Sequence, residues 1–196
     1  MNINAISANA EQSYTIVPAT VSVSWTAPAN LTYNKEAKVP SVAISGGVLA
    51  GEECHLSETL KAGDNNINAG TFAFVASLDN SNYAISANAE QSYTIQKATY
   101  STIRQHYKLL GEEDWRDNNN WFDVLQTVIF EAYCNGGEEI EGEVSYSIYQ
   151  AYTTGNATIE GNAVTGTKYG LVYIQATIAE SRNYYTAYSN GMQGIS

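Results

Sequence analysis

Apolar side chains recur at every second position in short runs along this chain, and helical spacing is nowhere sustained. Val21, Val23 and Trp25 share one face of such a run, Val42 and Ile44 another, and Phe72, Phe74, Ala76 and Leu78 a third, with Tyr93 and Ile95 closing the series. Successive side chains of a strand point to opposite faces, so this period of two marks half-buried strands. The runs are bounded by Pro28-Ala29-Asn30, Gly46-Gly47, Gly63-Asp64-Asn65-Asn66 and Asp79-Asn80-Ser81-Asn82. Glycine accepts left-handed backbone, and Asn and Asp bond their own main chain two residues on, so these clusters turn the chain. Short strands at roughly ten-residue spacing predict an antiparallel sandwich rather than βαβ units.

Further runs cover residues 124–133, 143–149 and 171–178, with two shorter ones at 157–160 and 163–166 around Gly161-Asn162. Asn135-Gly136-Gly137 predicts a hairpin joining the first two. Residues 104–121 are polar, acidic and Asn-rich, and read either as a short helix over 104–110 or, the favoured alternative, as an extended strand followed by a long loop. After Asn183-Tyr184 no strand pattern is legible, so the second sandwich reads as incomplete or shuffled at that edge.

A duplication sets the organisation. The string AISANAEQSYTI occupies residues 5–16 and again 84–95, and the match resumes as Ala19-Thr20 against Ala98-Thr99. Repeats dictate architecture, because each unit is one structural module. Residues 1–19 are expected to be the terminal strand of a preceding repeat, 20–100 a complete sandwich, and 101–196 a second sandwich without obvious sequence in common with the first. The fold class is therefore all-β, with two tandem immunoglobulin-like antiparallel β-sandwich modules from a longer array.

Charge removes several partners. Nine basic residues against twenty acidic ones, a net charge of −11, leave no stripe able to neutralise a run of phosphates, so no nucleic-acid partner is expected. Anionic lipid is disfavoured on the same ground, and no apolar run reaches the ~18 residues a membrane helix needs, so no membrane insertion is expected of this stretch. Charged residues make up only 15 % of the chain. The surface must therefore be carried by Asn, Ser, Thr, Gln and Tyr. Cys54 and Cys134 fall in different modules and are expected to stay unpaired.

Catalytic patterns are missing: no G-x-S-x-G, P-loop, H-E-x-x-H or C-x-x-C occurs. Cys54 and His55, beside Glu52 and Glu53, hint at a metal, but adjacent strand residues point to opposite faces and cannot converge on one ion. The Asp- and Asn-rich loops at 64–66, 79–82 and 114–120 offer oxygen ligands for calcium without EF-hand spacing, and turn chemistry explains them better. The run Glu138-Glu139-Ile140-Glu141 reads as a charged, aggregation-resistant strand entry. Tyr107, Trp115 and Trp121 are the candidate ligand contacts, since rings exposed around a polar loop stack on sugars; the plainer reading is that they plug the end of a sandwich. No catalytic residue, metal or cofactor is expected, and the chain reads as non-enzymatic.

In combination, LTYNKEAKVP (31–40), GGVLAGEE (46–53), NAGTFAFVASLDNSNY (68–83) and QSYTIQKAT (91–99) resemble the MBG (mostly beta, glycine-rich) domain of bacterial surface proteins. Glu52 stands where that family usually has Asp, and Phe72 where it has Tyr. VSYSIYQAYTTGNATIEGNAVTGTKYGLVYIQATIAESRNYYTA (144–187) resembles a bacterial Ig-like domain. The two resemblances imply a structural, spacer-like or adhesin-like array that is extracellular or held at the bacterial cell surface. They also imply neighbouring repeats of the same chain as partners and, as the alternative, a host or cell-wall glycan or protein bound around residues 107–122. Neither family carries catalytic residues to transfer, and fold alone licenses no ligand.

Overall fold

The computed structural model describes residues 12–117, 121–150 and 153–196, and in them the chain is all-β. It divides into two compact units. The first runs to Leu31 and takes in Ala37–Asn66 and Thr71–Thr94; the second comprises Thr32–Glu36, Ile67–Gly70 and Ile95–Ser196.

In the first unit, β1 (Ala19–Thr26) lies between β2 (Ser41–Gly46) and β5 (Tyr83–Ile85), antiparallel to β2 and parallel to β5. A second three-stranded sheet has β4 (Gly70–Leu78) between β3 (Leu56–Leu60) and β6 (Glu90–Ile95). Val21, Val23, Phe72, Phe74, Ala76 and Tyr83 are buried, so the period-two faces at Val21/Val23 and at Phe72/Phe74/Ala76 are the core faces. Ala73 is buried as well, which the alternation does not foresee.

In the second unit, one sheet runs β12 (Asn156–Glu160), β13 (Ala163–Lys168), β10 (Thr127–Cys134), β7 (Ile103–Leu109), β8 (Arg116–Asp117). The other runs β11 (Val144–Ile148), β14 (Gly170–Ile178), β15 (Ala187–Ile195), β9 (Trp121–Phe122). Tyr107, Phe122, Val128, Phe130, Val164, Val172, Ile174 and Ile195 fill the core.

The structure corrects two expectations here. The favoured reading of 104–110 as extended chain holds, but the hairpin at Asn135-Gly136-Gly137 does not. Gly137 N–H donates to the Cys134 carbonyl at 3.0 Å and the chain turns, yet it passes from β10 in one sheet to β11 in the other. Nor does the second sandwich end at Tyr184: β15 pairs with β14 over its whole length, from Ala187 opposite Ile178 to Ile195 opposite Gly170. Asn190, Gly191, Gln193 and Gly194 break the apolar alternation there, so no pattern announced the strand.

The two units also repeat one plan. Leu56 faces Leu78 and Leu60 faces Phe74 in the first; Val144 faces Ile178 and Ile148 faces Ile174 in the second. The central strand begins in both with a glycine at positive φ, Gly70 (141°) and Gly170 (137°). Ala76 N–H donates to the Ala89 carbonyl, and Ala176 lies opposite Ser189. Ala19 N–H donates to the Asn82 carbonyl at 2.8 Å, and Ala98 N–H to that of Asn183 at 2.8 Å. Sheet register survives where side-chain identity has drifted, because a one-residue slip would turn every core side chain outward.

The duplicated string illustrates context. Its second copy forms β5 and β6, with Ile95 only 1 % exposed. Most of the first copy lies outside the described residues, so the expected terminal strand of a preceding repeat cannot be traced there; residues 12–18 carry no strand, and Ile16 is 95 % exposed.

Candidate functional site

The three aromatic positions singled out from the sequence do not form one surface. Tyr107 is fully buried on β7, its ring 5.9 Å from that of Phe130, and offers no face to a ligand. Alternation places it inward, because Ile103, Gln105 and Tyr107 share the buried face of that strand. Trp115 and Trp121 sit beside edge strands of different sheets, next to β8 and in β9 respectively. Asn118–Asn120, the middle of the loop proposed to bind, lies outside the described residues.

Trp115 is 39 % exposed and meets two side chains of β7. His106 stacks on it at 4.1 Å with 22° between the planes, and Lys108 Nζ lies 5.0 Å from its ring centre. His106 Nε2 is 3.1 Å from Glu131 Oε2, which fixes the imidazole between the indole and a carboxylate. Trp115 borders a cleft of about 690 Å³ together with Lys108, Glu131, Ile140, Tyr146 and Asn162. Burial pushes the Tyr146 phenol above its ordinary range. A ring, a cation, a carboxylate and an amide are the functional groups of a hydroxyl-rich ligand site. Among the described residues Glu131 is the one carboxylate lining the cleft. Trp121 packs instead over Gly194, where the indole leaves no room for a β-carbon, and stacks on Tyr169 at 6.2 Å.

The acidic side chains of the loops at 64–66 and 79–82 are engaged by other groups of the first unit. Asp79 accepts the His55 backbone N–H at 2.8 Å and contacts His55 Nδ1 at 2.9 Å, and these hydrogen bonds hold its carboxyl below the usual range. Asp64 accepts Ala73 N–H at 2.6 Å, and Asn80 accepts Asn82 N–H at 3.0 Å. Glu52 accepts the Tyr83 hydroxyl at 2.7 Å. Among the described residues no three His, Cys, Asp or Glu side chains gather around one point. Cys54 and Cys134 are free thiols, one in each unit.

The most connected polar cluster was not legible in the sequence. In the second unit, buried Asn183 donates from Nδ2 to both Glu141 oxygens (3.3 and 3.2 Å) and to Asn68 Oδ1 (3.2 Å), and its own Oδ1 accepts Ala69 N–H at 2.9 Å. Tyr33 donates its hydroxyl to Glu141 at 3.2 Å. Beside this polar knot Tyr184 stacks on Tyr100 at 4.1 Å and meets Tyr33 edge-on at 5.4 Å. The Tyr100 hydroxyl accepts the backbone N–H of Glu141 at 3.0 Å. Five stretches far apart in sequence are thus tied at one place around the buried Asn183 amide. The only hint in the sequence was the Asn-Tyr pair, which recurs at 82–83 and 183–184.

Burial first, and the Glu141 charge second, push the Tyr33 phenol up; burial does the same to Tyr184. A raised folded-state pKa favours the neutral form, so this stabilisation is complete below the unfolded value of about 10 and is lost as pH climbs through the folded value. An absorbance titration at 295 nm is expected to show a late-ionising class of tyrosines, with alkaline unfolding setting in above about pH 10. Tyr33→Phe should remove one member of that class; an unchanged late class would show that Tyr33 is solvated.

No family model matches the chain. No curated protein matches it either. Among solved structures it is similar to the S-layer protein SbsC, domains 4 and 5, with 11 % identity and a TM-score of 0.30, over 90 % of this chain and 99 % of that one. A likeness at that score assigns neither activity nor partner.

Proposed function

We propose that this chain is a non-catalytic structural repeat region of a secreted or cell-surface bacterial protein, spacer-like and adhesin-like in role. The observation that carries the reading is the repetition of one sandwich plan, in the same strand register, in two successive units. Each unit buries its own apolar set, as the elements of an array must. A net charge of −11 on a hydroxyl- and amide-rich exterior keeps copies from sticking. The resemblance to MBG and bacterial Ig-like domains supplies the surface location. Calorimetry of the full chain is expected to resolve two unfolding transitions, one per unit. A substitution confined to the first core, Phe74→Ala, should move one transition by the roughly 3–5 kcal/mol of a buried aromatic and leave the other in place. A single transition moved as a whole would count against a modular spacer.

A glycan-binding role is the second reading, favoured by the half-exposed Trp115 over its polar cleft. Stacking on a sugar would make Trp115→Ala abolish binding on a glycan array while Trp121→Ala retains it. An array on which the unaltered chain binds nothing at millimolar glycan would leave the spacer reading alone.

A further inference from the structure

The shared register lets positions of the two units be matched one by one, and one matched pair differs sharply in exposure. Tyr33 N–H donates to the Gln96 carbonyl at 2.9 Å, and Val124 N–H donates to the Ser196 carbonyl at 2.9 Å. Ile95, just before Gln96, and Ile195, just before Ser196, are both buried ends of the strand beside the central one. Val124 is thus the counterpart of Tyr33. Tyr169, before Gly170 at φ 137°, is likewise the counterpart of Ala69, before Gly70 at φ 141°. A left-handed residue follows in both places, two positions after Tyr33 at Lys35 (φ 67°) and one after Val124 at Leu125 (φ 72°).

Tyr33 and Ala69 are covered: Tyr184 packs on the first, and Asn183 accepts the N–H of the second. Their counterparts are less covered: Val124 is 38 % exposed and Tyr169 67 %, with Trp121 and Leu125 beside them also exposed. A left-handed backbone position is unfavourable for a leucine, and displaying its side chain to water gains nothing in return.

We propose that Trp121, Val124, Leu125 and Tyr169 form a docking surface for the leading edge of a further copy of this same module. The proposal rests on the repeat-array reading and adds the place where copies join. The occupant follows from the Asn183 cluster. What covers Tyr33 and Ala69 is an alanine-led segment (Ala98) bonded to an Asn-Tyr pair (Asn183-Tyr184). The first unit carries the same device, with Ala19 bonded to Asn82-Tyr83. Asn82 is exposed there while Tyr83 is buried, and the device borders a cleft of about 380 Å³ that Val17, Pro18 and Leu49 also line. One end of the repeat plan therefore offers the plug and the other the socket. Head-to-tail contacts of this heterologous kind propagate instead of closing.

The matching also fixes the joint. Ser196 corresponds to Gln96 and Val17 precedes Pro18 as Gln96 precedes Lys97, so a second copy beginning at Pro18 should follow Ser196 directly. Such a fusion of the full chain to residues 18–196 holds the two surfaces at an effective concentration near millimolar. A Val124→Ile mass tag in the second copy distinguishes the two copies' peptides in hydrogen exchange. The peptide spanning 121–126 of the first copy is expected to exchange roughly tenfold more slowly than its unpartnered equivalent in the second. Leu125→Asp in the first copy, a change at an exposed side chain, should erase the difference. Equal exchange in two folded copies would overturn the docking surface while leaving the array reading intact. A second copy that fails to fold at this joint would overturn it too, since the matched spacing would be wrong. The array reading itself fails on the calorimetry above, not here.

Discussion

Alanine at Gly170 is expected to lower the melting temperature of the second unit by on the order of 15 °C, whereas alanine at Gly70 should cost far less. Both glycines open a central strand at nearly the same positive φ, 137° and 141°. Any side chain there carries backbone strain of about 1–3 kcal/mol. Only Gly170 is also crowded: a β-carbon would stand 2.5 Å from the Gly155 nitrogen and 2.7 Å from its α-carbon, while at Gly70 it would meet open space. Backbone atoms cannot swing aside as a flexible side chain can, so overpacking of about 1–3 kcal/mol adds to the strain. Thermal unfolding followed by circular dichroism measures both variants. Equal losses at the two positions would show that the close approach of Gly155 costs nothing.

A chain beginning at residue 101 should fold poorly, although residues 101–196 hold most of the second unit's strands. That unit also contains Thr32–Glu36, Ile67–Gly70 and Ile95–Tyr100. Cutting at residue 100 removes the Tyr33 and Tyr100 rings from Tyr184 and takes away Ile95. It also strips Asn183 of its Asn68 and Ala69 partners. Loss of buried aromatic packing costs about 3–5 kcal/mol, a large share of the 5–15 kcal/mol that stabilises a typical domain. Urea unfolding of the 101–196 fragment is expected to show a midpoint well below that of the second transition in the full chain. A fragment as stable as its parent would mean that the Asn183 cluster contributes nothing.

What was legible in the sequence, and what was not, divides along physical lines. Alternation at Val21/Val23 and Phe72/Phe74 located strands and core faces, because one face of each sheet is dry and the other wet. The same signal failed over Ala187–Ile195. Its side chains there are Gly, Asn and Gln, and pairing to β14 carries the strand instead. The Asn135-Gly136-Gly137 turn was visible, but which sheet the chain enters after it is a long-range choice that no local residue encodes. Tyr107 was misplaced for a related reason. In a polar segment an aromatic looks like a surface ring, and only the register with Phe130 shows it facing inward. Trp115 and Trp121 did emerge at the surface, though on separate sheets. The Asn183–Glu141 cluster was invisible altogether: Glu141 sits in a run of acids that reads as a solubilising stretch, and its partners lie 42 and 108 residues away.

The two unpaired thiols give one sandwich a timer and the other a reference. Cys134 is buried, and that burial, reinforced by the nearby Glu138 charge, raises its thiol pKa, so attack by a maleimide must wait for its unit to open. Cys54, half-exposed in the other unit, reacts without that wait. A single labelling time course thus reads out the opening of the Cys134 unit against an internal standard in the same molecule.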